Sequence, residues 1–149
     1  MNSSTGSVFL ADEAAMSEWA ARTLGFLIRA LDAAGEGVLM TLDGPLGAGK
    51  STLARAVLRA AGVSGPVPSP TYTLVEPYAV ANLNFLHMDL YRLNDPDELA
   101  LLGLDDLRGA RTISLVEWSS RLPAALGVPT LAVVLDYEGS GRRLDWRLQ

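Results

Sequence analysis

The sequence predicts an α/β fold, and three observations predict it. The stretch Gly44-Pro45-Leu46-Gly47-Ala48-Gly49-Lys50-Ser51-Thr52 fits the pattern G-x-x-x-x-G-K-[ST]. It lies between an apolar strand-like run, Val38 to Leu42, and a helix-like run from Ser51 to Leu58. Further along, β-rich runs are separated by short turn-forming stretches and pair as hairpins. Together these describe a P-loop NTPase-like sheet with flanking helices and β-hairpin insertions, in a single domain over residues 1–149.

Each element has its own signal. Ser7 to Leu10 reads as a short strand after a frayed start at residues 1–6. Asp12 is a suitable N-cap for a helix running to about Ala34. Met16, Trp19, Ala20, Leu24, Leu27, Ile28 and Leu31 recur on it at three-and-four spacing, one buried stripe, and Gly35 and Gly37 end it. The helix after the phosphate loop ends at Gly62. The run Ser69 to Tyr78 is β-rich and pairs with Leu83 to Met88 as a hairpin. Asp95-Pro96-Asp97-Glu98 has an acidic cap, proline at the first helical position and glutamate three after the cap, and that helix stops at Gly103. Thr112 to Val116 is a short buried-type strand delivering Glu117 and Trp118; Ser119 then caps a brief helix that Pro123 cuts short. Thr130 to Tyr137 and Leu144 to Leu148 are strands joined by a glycine turn over residues 138–143.

Composition narrows the function. With 49% hydrophobic and 19% charged residues, the chain reads as an ordinary globular domain. No apolar run reaches membrane-spanning length, and the first residues lack the basic and apolar parts of a signal peptide, so the expected location is the cytoplasm. The absence of cysteine is compatible with that and removes disulfides and thiolate metal sites. A net charge of −5 disfavours autonomous nucleic-acid binding, which draws its affinity from cations on phosphates. Contact with RNA is expected only through a partner.

The chemistry centres on the loop. Gly44, Gly47 and Gly49 admit backbone angles closed to other residues, so that successive N–H groups, Ala48 and Thr52 included, can turn toward an anion at a helix N-terminus. Lys50 is expected at the β/γ-phosphates of a nucleotide, and Ser51 offers its hydroxyl to Mg²⁺. Lys50 is also the only lysine in a chain with eleven arginines, which suggests a task for a compact ammonium. A glycine-rich strand–helix turn without ligand is the plainer reading of the same residues. Asp89 and Glu117 each follow an apolar strand, where a carboxylate can bind the metal, directly or through water, or orient an attacking water. The residues alone do not divide these roles between them. Thr71 follows the phosphate-loop helix, where a hydroxyl can sense the γ-phosphate, although β-branched residues are common in any strand. His87, the only histidine, reads as a hydrogen-bonded structural residue in mid-strand rather than a general base. Tyr91 and Arg92 face either phosphates or a partner, or are simply surface residues.

Three runs follow the loop in order: Ser69-Pro70-Thr71-Tyr72-Thr73-Leu74-Val75-Glu76-Pro77-Tyr78, then His87-Met88-Asp89-Leu90-Tyr91-Arg92-Leu93, then Leu115-Val116-Glu117-Trp118. With the loop they resemble the bacterial TsaE (YjeE) family, from about Val38 to Trp118, with a weaker echo from Asp136 to Arg142. The resemblance implies an ATPase serving threonylcarbamoyladenosine modification of tRNA, with ATP and Mg²⁺ as cofactors and the TsaB and TsaD subunits as partners. It implies that Ser51 and Glu117 hold Mg²⁺, that Lys50 contacts phosphate, that Asp89 lies near the reacting phosphate and that Thr71 belongs to a switch-like loop. Pro45, Met88 and Ser51 depart from the family's usual Asp, Phe and Thr. A small-molecule P-loop kinase and a non-catalytic nucleotide-dependent binding module are the alternatives. GTP is disfavoured because the [NT]-K-x-D guanine pattern needs a second lysine.

Overall fold

In the computed structural model, which describes residues 4–68, 70, 74–93, 95, 97–98, 109–121 and 126–149, a seven-stranded sheet carries the chain. The elements are β1 (Ser4–Leu10), α1 (Glu13–Ala34), β2 (Val38–Asp43), α2 (Lys50–Ala61), β3 (Val75–Val80), β4 (Leu83–Asp89), β5 (Thr112–Glu117), β6 (Leu131–Glu138) and β7 (Gly141–Leu148). The strand order is β1-β7-β6-β2-β5-β4-β3. The four central strands, β6, β2, β5 and β4, run parallel. The hairpins β3–β4 and β6–β7 extend the sheet with antiparallel strands at its two sides, and β1 closes one edge against β7. The expected α/β sheet with hairpin insertions is what forms.

Alternation along the central strands makes two cores. Val38, Met40 and Leu42 of β2, Phe85 of β4 and Ile113 and Leu115 of β5 point to the face covered by α1 and α2. Leu39, Met88 and Val116 point the other way, toward Leu90, Leu93 and Leu126. The α1 stripe follows its sequence pattern. Met16, Ala20, Leu24, Leu27 and Leu31 are buried, while Trp19 and Ile28 pack at the margin. Asp12 accepts the Ala15 N–H at 2.9 Å, and Gly35 closes the helix in the left-handed region. Among the described residues no helix is long and apolar enough to cross a membrane.

Several expectations are corrected. β1 begins at Ser4 rather than Ser7: its whole length pairs with β7, from Ser4 opposite Leu148 to Leu10 opposite Arg142, so residues 4–6 are not frayed. Trp146 lies against Gly6, where a β-carbon would come within 2.3 Å of the indole, so this close packing needs the glycine. β3 starts at Val75, later than expected, and runs to Val80; residues 69 and 71–73 of the proposed strand lie outside the described residues. The β6–β7 turn is only Gly139-Ser140, with Gly139 at φ +59°, and the strand resumes at Gly141. Arg142 thereby becomes a strand residue. Asp95 does accept the Asp97 N–H at 2.9 Å, but the body of that helix and its end at Gly103 lie outside the described residues.

Gly44 joins β2 to the phosphate loop at φ +140°, and a β-carbon there would stand 2.1 Å from the Leu135 carbonyl oxygen of β6. Backbone strain and a clash with backbone act together at this point. Gly44→Ala is therefore expected to destabilise the fold by about 2–4 kcal/mol, read as a lower urea midpoint with an unchanged m-value.

Candidate functional site

The loop Gly44–Gly49 connects the C-terminal end of β2 to α2 at the middle of the parallel sheet, where open α/β sheets form their crevices. Gly47 and Gly49 have φ of +79° and +109°. Gly49 is the N-cap of α2 and supplies no side-chain cap, so the first N–H groups of the helix remain for another acceptor. The Ala48 N–H, expected to turn toward an anion, here donates to the Pro45 carbonyl at 3.1 Å. Pro45 lacks an N–H, but it stands at the loop entrance and contributes a carbonyl instead.

Lys50 is 5% exposed, and its ammonium donates to the carbonyls of Gly44 at 2.8 Å and Pro45 at 3.0 Å. It also sits 4.1 Å from the centre of the Trp118 ring. Burial lowers its pKa, opposed by the negative charges of Glu117, Asp43 and Asp89. Trp118 in turn leans on Tyr91, ring centres 4.9 Å apart, and the Arg121 guanidinium lies 5.7 Å over Tyr91. Trp118 has φ +58°, unusual for a bulky residue. The bend is fastened from β2: the Trp118 N–H donates to Leu42 at 3.0 Å, and Asp43 accepts the Ser119 hydroxyl and, at 3.1 Å, the Ser120 N–H. Ser119–Arg121 forms a 3₁₀ turn at whose start Asp43 of β2, rather than Ser119, is the acceptor; the expected stop at Pro123 lies outside the described residues.

The two carboxylates meet because β4 and β5 are parallel neighbours with Asp89 opposite Glu117. Both are buried, at 4% and 2% exposure. The Ser51 hydroxyl lies 2.8 and 2.9 Å from the two Glu117 oxygens, and Glu117 Oε2 is 2.6 Å from His87 Nε2. Asp89 Oδ1 accepts the Tyr91 N–H at 2.9 Å. Lys50, Ser51, Thr52, Asp89, Glu117 and Trp118 line a cavity of about 290 Å³ beside the loop. A hydroxyl facing a carboxylate under 3 Å away is a donor set suited to a hard, oxygen-preferring cation such as Mg²⁺, which keeps most of its positions for water and phosphate oxygens.

A second cavity, of about 190 Å³, opens on the other side of the loop, among Leu10, Met16, Ala48, Gly141 and Arg142. Gly47, Gly49 and Thr52 border both. Arg142 reaches across from β7 and donates to Ala48 O at 3.1 Å and Gly47 O at 3.5 Å, with its guanidinium 4.6 Å over Tyr137. The Tyr137 hydroxyl donates to the Leu46 carbonyl. These contacts occupy the outward-facing carbonyls of the loop.

The sequence-derived residues Gly44, Gly47, Ala48, Gly49, Lys50, Ser51, Thr52, Asp89 and Glu117 therefore surround one loop. Thr71 lies outside the described residues. Three participants were missed: Asp43 as the anchor of the Trp118 bend, Tyr137 as a loop contact and His87 as the partner of Glu117. A lone histidine two residues before a candidate carboxylate, on the same face of its strand, was the available signal for the last.

Comparison with known proteins agrees in family and fold. The family model described as "Threonylcarbamoyl adenosine biosynthesis protein TsaE" matches residues 10–144. The tRNA threonylcarbamoyladenosine biosynthesis protein TsaE of Haemophilus influenzae is 43% identical over 108 residues, 72% of this chain and 68% of that protein. The TsaE of Bacillus subtilis is 36% identical over 72% of this chain and 66% of its own length, and that of a Nostoc species 34% identical over 91% and 81%. A crystal structure of Bacillus subtilis YdiB superposes with a TM-score of 0.76, covering 99% of this chain and 88% of that one at 24% identity, which is a likeness of fold. With a phosphate-type loop, two buried carboxylates and this match over most of its length, the chain belongs to the TsaE family of tRNA threonylcarbamoyladenosine biosynthesis proteins.

Proposed function

We propose that the chain is the Mg²⁺-dependent ATPase of tRNA threonylcarbamoyladenosine biosynthesis, working beside TsaB and TsaD without transferring the modifying group itself. The observation that carries this is the convergence of Lys50, Ser51, Asp89 and Glu117 on one cavity at the N-terminus of α2. The N–H groups of the loop and of the first turn of α2 bind the phosphates, and Lys50 leaves the Gly44 and Pro45 carbonyls to meet the β/γ-phosphates. Ser51 and Glu117 would hold Mg²⁺, which when bound neutralises charge on the phosphate oxygens. Asp89, beside Glu117, orients the attacking water. The cavity between Leu10, Met16 and Arg142 takes the base, since it adjoins the phosphate cavity across Gly47 and Gly49 and has an apolar wall.

Trp118, Tyr91 and the 81% exposed Leu46 form an apolar rim at the mouth of the phosphate cavity, suited to reporting nucleotide occupancy to a protein partner. The net charge of −5 favours that route to tRNA over direct capture.

The test is steady-state ATP hydrolysis by the isolated chain, then with TsaB, TsaD and tRNA. Slow turnover alone and a marked acceleration with partners is expected, because an arginine supplied in trans contributes about 10³–10⁵ in rate to such sites. Turnover of about 1–100 s⁻¹ by the chain alone, the range of kinases, would contradict the proposal. So would phosphorylation of a small acceptor.

A further inference from the structure

His87 is 1% exposed on β4, in the middle of the core face that holds Phe85 and Leu115. Packing alone gives no reason for an imidazole there: its Nδ1 is buried with no hydrogen-bond partner, while Nε2 lies 2.6 Å from Glu117 Oε2. The orphaned nitrogen fixes how the ring is used. An unpartnered N–H is costly to bury, whereas an unused lone pair is cheaper, so Nδ1 carries the lone pair and Nε2 the hydrogen. Glu117 then accepts from both sides, from His87 below and from the Ser51 hydroxyl above.

We infer that His87 is a positioning residue: by donating its Nε2–H to Glu117 Oε2, it holds the Glu117 carboxylate in the orientation in which Glu117 and Ser51 take a divalent cation. This rests on the Mg²⁺ role proposed for that pair. Were the Ser51 hydroxyl to turn toward a cation, its hold on Glu117 would weaken, and the bond from His87 on β4 would keep the carboxylate in place. The bond from His87 falls on Oε2, while Oε1 faces the Ser51 hydroxyl and Glu117 lines the cavity. Asp89 lies two residues further along the same strand and on the same face, so β4 fixes both carboxylates of the site, one by carrying it and the other by this hydrogen bond.

Two substitutions and one spectroscopic measurement test the inference. His87→Leu removes the donor and keeps an apolar side chain in an apolar surround; His87→Gln keeps an N–H that can reach Glu117. Calorimetric titration with a slowly hydrolysed ATP analogue, in Mg²⁺ and in EDTA, separates metal-dependent from metal-free affinity. His87→Leu should lose about 10–100-fold of the affinity gained with Mg²⁺, the usual cost of removing the hydrogen-bond partner of a metal ligand, while affinity in EDTA stays within about twofold. His87→Gln should restore most of the gain. Equal losses with and without Mg²⁺, or a full gain retained in His87→Leu, overturn the inference. Should His87→Leu fail to fold, the parent protein still decides, because its single histidine gives one set of imidazole nitrogen signals. The Nε2–H tautomer with a slowly exchanging proton is expected, and an Nδ1–H tautomer overturns the inference. A parent protein whose nucleotide affinity ignores Mg²⁺ overturns the metal role of Ser51 and Glu117 and this role with it. Loss of the gain only in His87→Leu supports both.

Discussion

Lys50→Ala is expected to lower ATP turnover by about 10²–10³-fold, the usual cost of removing one preorganised charge or donor from the transition state of such a reaction. The ammonium is held under the Trp118 ring and against two loop carbonyls, in a place that costs desolvation and lowers its pKa. A buried ammonium held only by neutral carbonyls and a ring lacks an anionic partner within bonding distance among the described residues, which suits it to an anionic ligand. Exchange of carbonyl contacts for phosphate oxygens restores a full charge-assisted interaction. Lys50→Arg should rescue little, since a planar fork does not fit a position framed by Gly44, Pro45 and Trp118. Circular dichroism should show the fold retained. Turnover at the parent rate in Lys50→Ala would remove the loop from the chemistry.

Glu117→Ala is expected to lose the Mg²⁺-dependent part of nucleotide affinity, by at least about tenfold, with little change in EDTA. The Ser51 hydroxyl faces both oxygens of Glu117, which would let the two share a cation. Asp89 is turned to the Tyr91 N–H, and Asp89→Ala should lower turnover more than affinity. Paired titrations with and without metal check both variants. Identical losses in the two conditions for Glu117→Ala would count against its metal role.

Much of this site is legible in the sequence, because it is local. The glycines of the loop, the lysine and the following serine are contiguous, and strand and helix periodicity on either side state where the loop lies. The α1 boundaries were readable for the same reason: Asp12 and Gly35 cap the helix through their own neighbours. What could not be read is non-local. That Asp89 faces Glu117 depends on β4 and β5 being parallel neighbours, and nothing in either strand alone states it. The Arg142 contact depends on a two-residue turn that lengthens β7, where the run of glycine, serine and arginine suggested a six-residue loop. The start of the strand Ser4–Leu10 is not legible because Thr5 is the one strand-favouring residue between Ser4 and Gly6, and glycine is depleted in strands; pairing with β7 decides it. The anchoring of the bend after β5, Trp118 to Leu42 and Ser119 and Ser120 to Asp43, joins residues far apart in sequence and close only once β2 and β5 are paired.

The central claim is that this cavity takes ATP together with Mg²⁺. Calorimetric titration of the parent chain with ATP tests it most directly, first in Mg²⁺ and then in EDTA. One site per chain is expected, with affinity that rises on adding Mg²⁺ and falls back when the metal is chelated. Absence of binding at millimolar ATP, or one affinity unchanged by Mg²⁺, would contradict it.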